Sequence, residues 1–574
     1  MRTLPAVVTL LLCLLAQSAY AQSAKSILRS MTMRDRVAQL IIGVCYGDLP
    51  SAKSRDFIKY KHWVKDLRLG GFIVNNQVRY GLAKPAEPHT MALFLNQMQK
   101  LSKLPLIVGG DFERGASMRV SDTTLFPHNM AYGAARDYDA SRLEGLMTAR
   151  EARALGVQWI FAPDADVNLN PENPIINIRS YGENADDVAK HVTAFIDGAR
   201  SDPKNPVLLA VKHFPGHGDT SIDSHADLAR LDASRERIDS VEMVPFRAAI
   251  EHGVDSVMTA HMAVPAIDSA ETPATVSAKI ITGLLREDLH FKGLIVTDAM
   301  NMGGIVKQLG AGEAAVRSLE AGVDILLMPP DPEVVIRAVM KAVETKRLTK
   351  ERVDQSVLKL LDAKIKLGLF KKRAVNADAV SDVLDDEDEV AAAQKVADHA
   401  ITLVRDPNHL VPLTEPAKTC LIVSVGVRMS SFGQRFVEEF RRRAPQARTM
   451  MIDNALPAAA LESATGDLSA CSAVLFAAYT TNPELAGDLP AFLDKLSESG
   501  PPVVFVSFGN PYLLAKHSKV AAFLDAFSTA PTSESAMAKA LFGEIPITGR
   551  MPISIAGFAQ YGDGIQTQAV LKYK

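Results

Sequence analysis

Cysteine is scarce, with four in 574 residues, too few for a disulfide framework. An excess of one charge is also missing. Lys and Arg together number 63 against 66 for Asp and Glu, a formal net charge of −3. That balance excludes a strongly basic nucleic-acid binder and an acidic solvated tail. Beyond the N-terminus no stretch approaches the ~18 uninterrupted apolar residues of a membrane-spanning helix. Glycine (35) and proline (31) are at ordinary levels, which excludes collagen-like chains and wholesale disorder. No internal repeat or low-complexity tract is present. What remains is a long chain that is 47% hydrophobic, enough for large buried cores. A prior of about 150 residues per domain suggests three or four domains, although a barrel can occupy ~250 as one unit.

The first residues read as an export signal spanning 1–21. Arg2 supplies a positive start, residues 4–16 are almost wholly apolar, and Ala19 and Ala21 place small residues at the cleavage positions. The competing reading is an N-terminal anchor. Leu12 before Cys13 argues against lipoprotein processing, which wants a small residue there. The mature chain is expected to be exported, periplasmic or secreted, without stable membrane insertion. It keeps Cys45, Cys420 and Cys471. Cys45 reads as a buried small hydrophobe in a strand. A Cys420–Cys471 bridge is compatible with an oxidising compartment, but sequence alone does not fix its geometry.

Eight short apolar runs recur at 39–45, 70–74, 105–110, 158–163, 206–212, 255–260, 293–298 and 324–328. They lack polar alternation, as parallel strands buried on both faces do. Amphipathic stretches such as 140–155 and 234–252 lie between them. Eight strand–helix units predict an N-terminal (β/α)8 barrel over 22–370. A charged linker is expected at 371–389. It runs from Lys371-Lys372-Arg373 to Asp385-Asp386-Glu387-Asp388-Glu389 and reads as solvated surface. New strand-like runs at 419–425, 473–478 and 502–508 predict a smaller C-terminal α/β sandwich over 390–574.

Titratable residues gather where the barrel runs end: Asp111, Asp164, Asp166, Lys212, His213, His261 and Asp298. In a barrel those ends form the active face. The bland explanation, that strand ends are polar loops, serves for any one of them but poorly for so many together. The densest cluster runs from Lys212-His213-Phe214-Pro215-Gly216-His217-Gly218-Asp219-Thr220 to Asp223-Ser224-His225. Its prolines and glycines preclude a regular helix. The spacing matches no familiar metal motif, which favours acid–base chemistry by an Asp–His pair in which Asp223 fixes the His225 imidazole. His217 and Asp219 read as residues that hold the loop together. Asp298, at the mouth of an apolar strand, suits a nucleophile for a cationic carbon. The Asp111–Arg119 and Asp164–Arg179 segments offer carboxylate, amide and guanidinium groups for a polyhydroxylated ligand, or else an ion-pair lattice around the mouth.

Taken together, these segments resemble glycoside hydrolase family 3, and within it the bacterial β-N-acetylglucosaminidases. The resemblance rests on the lysine–histidine loop with Asp223-Ser224-His225, on Asp164–Pro171 with Arg179-Ser180-Tyr181-Gly182, and on Val296-Thr297-Asp298. It continues through Ala400–Arg405, Leu541-Phe542-Gly543 and Gly549–Ile553. It implies retaining double displacement with Asp298 as nucleophile, His225 as general acid/base and Asp223 as its orienting partner. Asp111, Arg119, Arg179, Lys212 and His213 would bind the terminal sugar. Phe112 and Ala299 depart from single-domain members, many of which carry Gln and Asp there. No metal or organic cofactor is required, and the implied partner is an oligosaccharide from peptidoglycan fragments or chitin-type chains, not nucleic acid. Oligomeric state has no signal here. The rivals are a β-glucosidase of the same family and a non-catalytic carbohydrate-binding protein on the same scaffold. A histidine acid/base also admits phosphate as the attacking group.

Overall fold

A computed structural model describes residues 23–79, 82–426 and 431–570. The export-signal reading therefore lies outside the described residues. The eight apolar runs form eight strands: β1 (Ile41–Cys45), β2 (Gly71–Val74), β3 (Ile107–Gly110), β4 (Trp159–Ile160), β5 (Leu208–Phe214), β6 (Ser256–Thr259), β7 (Leu294–Thr297) and β8 (Leu326–Leu327). They pair in parallel in the order β7-β6-β5-β4-β3-β2-β1-β8. A parallel bridge between Val296 and Ile325 then joins β7 to the segment entering β8 and closes the ring.

Period-two alternation divides the strand residues between two cores. Ile73, Ile107, Trp159, Phe161, Leu208, Ala210, Met258 and Val296 share one cluster. Their neighbours Phe72, Val108, Ile160, Leu209, Val257 and Ile295 join the other, with Met98, Phe195 and Phe246 of the surrounding helices. The first set fills the barrel. Trp159 Nε1 on β4 reaches Ser256 Oγ on β6 at 2.8 Å, and a Cβ added at Gly109 would meet the Phe161 ring at 2.7 Å. Cys45 is fully buried in β1, as its apolar surroundings required.

The helices follow their capping residues. Asp137 caps Tyr138–Leu155 by accepting from Ala140 N at 3.0 Å, and Gly156 (φ 87°) ends it in the left-handed conformation. The amphipathic stretch 234–252 differs from expectation, since it forms two helices, Arg235–Ser240 and Met243–Glu251. Pro245 lacks an amide hydrogen and fits only a first turn, so the second segment must start afresh.

The linker is ordered at both ends. Residues 377–382 form a 3-10 turn, and the acidic run opens a helix, Glu387–Ala400, capped by Asp386. Carboxylates suit a helix start, where the backbone dipole is positive. The solvated reading holds for Asp385, Asp386, Glu387 and Asp388 but fails at Glu389. Glu389 is buried and accepts from Thr124 Oγ1 at 3.2 Å.

The C-terminal domain is a six-stranded sheet: β9 (Thr402–Arg405), β10 (Thr419–Val425), β11 (Thr449–Asp453), β12 (Ala473–Ala478), β13 (Val503–Ser507) and β14 (Ala522–Asp525), ordered β9-β14-β13-β12-β10-β11. Only the β9–β14 pair is antiparallel. Leu421, Leu475 and Val504 face the helices Gln434–Arg443 and Pro531–Leu541. Ile422, Phe476 and Phe505 share a core with Met130, Ala131, Ala134 and Ile178 of the barrel. Cys420 and Cys471 form a disulfide, with Cα atoms 5.7 Å apart. No helix among the described residues is long and apolar enough to cross a membrane.

Candidate active site

The C-terminal ends of the barrel strands surround a cavity of about 500 Å³. Asp111, Arg119, Arg179, Lys212, His213, His225 and Asp298 all line it. Asp223 does not, but it holds His225 from behind. Its Oδ1 lies 2.8 Å from His225 Nδ1 and accepts from the His225 amide at 2.8 Å. This local turn is what a two-residue separation requires of an Asp–His pair.

The loop carrying His225 is tied to the segment after β7. Gly303 N donates to His225 O at 2.9 Å and Gly304 N to Ser224 O at 3.2 Å. A Cβ at Gly303 would meet Ala226 O at 2.4 Å, so the close approach requires glycine. His217 bonds Ser224 Oγ (2.9 Å) and Thr220 Oγ1 (2.7 Å), while Asp219 pairs with Arg237 at 2.7 Å. Both serve the loop, as read from the sequence. Burial lowers the His217 pKa to about 4, so it is a neutral link.

Asp298 emerges from β7, and its Oδ1 accepts from the Ala299 amide at 2.7 Å. Burial alone would raise its pKa. The charges of His213 and His261, the Ala299 amide and Lys212 outweigh burial and hold it below the ordinary aspartate value of 3.8. It is therefore anionic at neutral pH.

An ion-pair lattice forms the opposite wall. Lys212 Nζ lies 3.1 Å from Asp111 Oδ1 and 2.6 Å from Glu113 Oε1. Arg119 holds the other Asp111 oxygen at 3.0 Å. Arg179 grips Glu113 through Nε (2.9 Å) and Nη2 (2.8 Å). The lattice still presents polar groups to the cavity, because Asp111 and Arg179 keep 20% and 25% of their side-chain surface open. Burial opposes ionisation of Asp111, yet Lys212 and Arg119 prevail and lower its pKa.

Asp164 and Asp166, which follow β4, flank His213. Its Nδ1 is 2.7 Å from Asp166 and 3.3 Å from Asp164. Burial would make the imidazole harder to protonate, but the two carboxylates reverse this and raise its pKa to about 10. Burial pushes Asp164 up to about 7. These three residues are spaced closely enough to hold a cation. Asp166 already accepts from His213 Nδ1 and the His217 amide, however, and Arg179 Nε sits 3.6 Å from Asp164.

Asp111 was legible in the sequence, but Glu113, two residues on and buried at 6% exposure, did not stand out beside it. The i, i+2 spacing beyond β3 was the available signal. His128 also lines the cavity and bonds Ser528 of the second domain at 3.1 Å, and nothing in its local sequence marked it. Thr481, from the loop after β12, also lines the cavity, and no local pattern marks it. Phe112 is fully buried, and Ala299 contributes its amide to Asp298.

The sequence pattern described as "Glycosyl hydrolase family 3 N terminal domain" matches residues 32–363. The chain belongs to glycoside hydrolase family 3. Among its relatives, the β-N-acetylglucosaminidase/β-glucosidase of Cellulomonas fimi is 29% identical over 492 residues, covering 80% of this chain and 86% of that protein. The solved family 3 β-N-acetylglucosaminidase from Paenibacillus sp. str. FPU-7 superposes with a TM-score of 0.82 at 30% identity, covering 92% of this chain and 99% of that one. The β-glucoside phosphorylase BglX superposes with a TM-score of 0.81 at 25% identity, covering 92% of this chain and 96% of that one. As a family 3 member the chain is a glycosidase with a carbohydrate substrate.

Proposed function

We propose that this enzyme is an exported β-N-acetylglucosaminidase that releases terminal non-reducing β-linked N-acetylglucosamine with retention of configuration. Its sources would be peptidoglycan fragments or chitin-type oligosaccharides. The observation that carries the reading is the shared cavity of Asp298 and the Asp223-supported His225, walled by Asp111, Arg119, Arg179, Lys212 and His213. In the first step His225 protonates the leaving oxygen while Asp298 stabilises the oxocarbenium-like transition state and then bonds to the anomeric carbon. In the second, His225 takes a proton from water, which attacks that carbon and frees Asp298. Asp223 holds Nδ1, leaving Nε2 for proton transfer. The cationic and anionic wall orients the sugar hydroxyls through charge-assisted hydrogen bonds. Export fits the apolar segment 4–16 and the Cys420–Cys471 bridge, a linkage of oxidising compartments.

The test compares nitrophenyl N-acetylglucosaminide with nitrophenyl glucoside, then traps the first with a fluorinated analogue and maps the label. Preference for the N-acetylglucosaminide and label on Asp298 are expected. Asp298→Asn should nearly abolish turnover. His225→Ala should slow natural substrates more than aryl glycosides, whose leaving groups need no proton. Preference for the glucoside, or equal activity in all three proteins, overturns the reading. A second reading, phosphate as the attacking group, is favoured by the likeness to the β-glucoside phosphorylase. It is dropped if added phosphate yields no sugar 1-phosphate while hydrolysis proceeds.

A further inference from the structure

The basic run Lys371-Lys372-Arg373 walls a second cavity, of about 710 Å³. It lies at the far end of the barrel from Asp298. Gln158, just before β4, and Pro206, just before β5, both line it. β5 then runs seven residues, delivering Lys212 and His213 to the catalytic mouth. At about 3.3 Å per residue the two ends stand ~20 Å apart.

Among the described residues, six cations line this cavity, Arg150, Arg153, Lys204, Lys371, Lys372 and Arg373, and no carboxylate does. Asp202 at the rim approaches Arg150 at 3.4 Å and accepts from the Lys204 amide at 3.0 Å. Among the described residues no ion pair engages Arg153, Lys371 or Lys372. Arg153 Nη1 is buried without a hydrogen-bond partner, as are Arg36 Nε and Arg119 Nε, but those two guanidinium groups pair with Asp354 and Asp111. Three other largely buried guanidinium groups have carboxylates beside them: Arg179 has Glu113, Arg286 has Asp324 and Arg443 has Glu544. A desolvated guanidinium without a counter-charge is strongly unfavourable, and burial is the only influence acting on its protonation. Concave clustering of like charge adds to the local potential.

The wall is built rather than loose. Asn96 exchanges two hydrogen bonds with the Val375 backbone, each 2.9 Å. Arg373 Nη1 reaches Ser102 O at 3.2 Å, and the Lys371 and Lys372 amides both turn back to Gly368 O, at 2.9 and 3.0 Å.

We propose that this cavity binds multiply charged oxyanions of the phosphate class, with Arg153 as the buried anchor. A guanidinium fork surrounded by ammonium groups matches a tetrahedral dianion better than a lone carboxylate. Such an anion clips the interdomain linker to the floor of the barrel. The same chemistry is offered by free inorganic phosphate and by the phosphates of an anionic polymer.

The test is calorimetric titration of the full chain with inorganic phosphate and with tripolyphosphate, at ionic strength fixed with chloride. Binding of both assigns the free anion, and binding of tripolyphosphate alone assigns the polymer. Arg153→Met should weaken binding about tenfold or more and leave aryl-glycoside turnover unchanged. The double variant Lys371→Gln/Lys372→Gln, altered only at exposed positions, should weaken it as well. In chloride, Arg153→Met should melt at or above the parent, since an unpaired buried charge has gone. In phosphate only the parent should gain stability. No binding of either anion, equal affinity in parent and Arg153→Met, or an equal loss of melting temperature in both buffers overturns the proposal.

Discussion

Glu113→Gln tests the electrostatics of the catalytic wall most directly. The substitution keeps the shape of a side chain that is only 7% exposed and removes its charge. Lys212, at 2.6 Å, and Arg179, at 2.8 Å, then lose their shared counter-ion. Breaking a buried pair costs roughly 3–5 kcal/mol. The amide oxygen still accepts one bond, so about 3 kcal/mol is expected. Urea unfolding followed by tryptophan fluorescence reads this cleanly, since Trp63 and Trp159 are the only tryptophans and both lie in the barrel. The pH dependence supplies the sign. Burial raises the Glu113 pKa, but Arg179 and Lys212 drive it well below the ordinary glutamate value of 4.5. Its contribution is therefore fully present above 4.5 and is lost as pH falls through the lower folded value. The gap between parent and variant should shrink below pH 4.5. Activity should fall too, because Arg179 and Lys212 line the cavity. A gap of less than about 1 kcal/mol, the ordinary worth of an exposed pair, or one indifferent to pH, would refute the reasoning.

Two further outcomes are expected. Reducing Cys420–Cys471, whose partners are 51 residues apart, should destabilise the C-terminal domain by about 4 kcal/mol through loop entropy. Calorimetry with and without reductant measures this, and Cys420→Ser/Cys471→Ser should melt as the reduced protein does. The depressed pKa of Asp298 keeps it ionised until pH falls below 3.8, and its stabilising contribution is likewise lost only as pH drops through the folded value. An acid-side inflection of kcat/KM lying well above 3.8 that shifts in Asp298→Glu would contradict this.

The barrel was legible because its strands are buried on both faces, so each of the eight runs stood out as uninterrupted apolar sequence. In the second domain the same signal marked β10, β12 and β13, which lie inside the sheet. It missed β9 and β11 at the edges, and β14, which is only four residues long. β11 is half-exposed, with an interrupted burial pattern, and carries no continuous run. At the site, chain order revealed groups at strand ends: Asp111, Lys212, His213 and Asp298. Glu113 was passed over because Asp111 accounted for its segment, although both bind Lys212. Thr481 and His128 reach the cavity through the docking of the two domains, a contact between distant parts of the chain that no local spacing encodes.

The helix Asn129–Ala135 joins the two halves of the molecule. His128 and Asn129 at its start line the catalytic cavity, while Met130, Ala131 and Ala134 are sealed against the sheet of the second domain. Asn129 also donates to Arg179 O at 2.7 Å. The C-terminal half therefore acts as a backing plate for the substrate wall. A barrel expressed without it would carry a raw greasy seam beside its own catalytic mouth, and the helix that braces the Arg179 backbone would lose its backing.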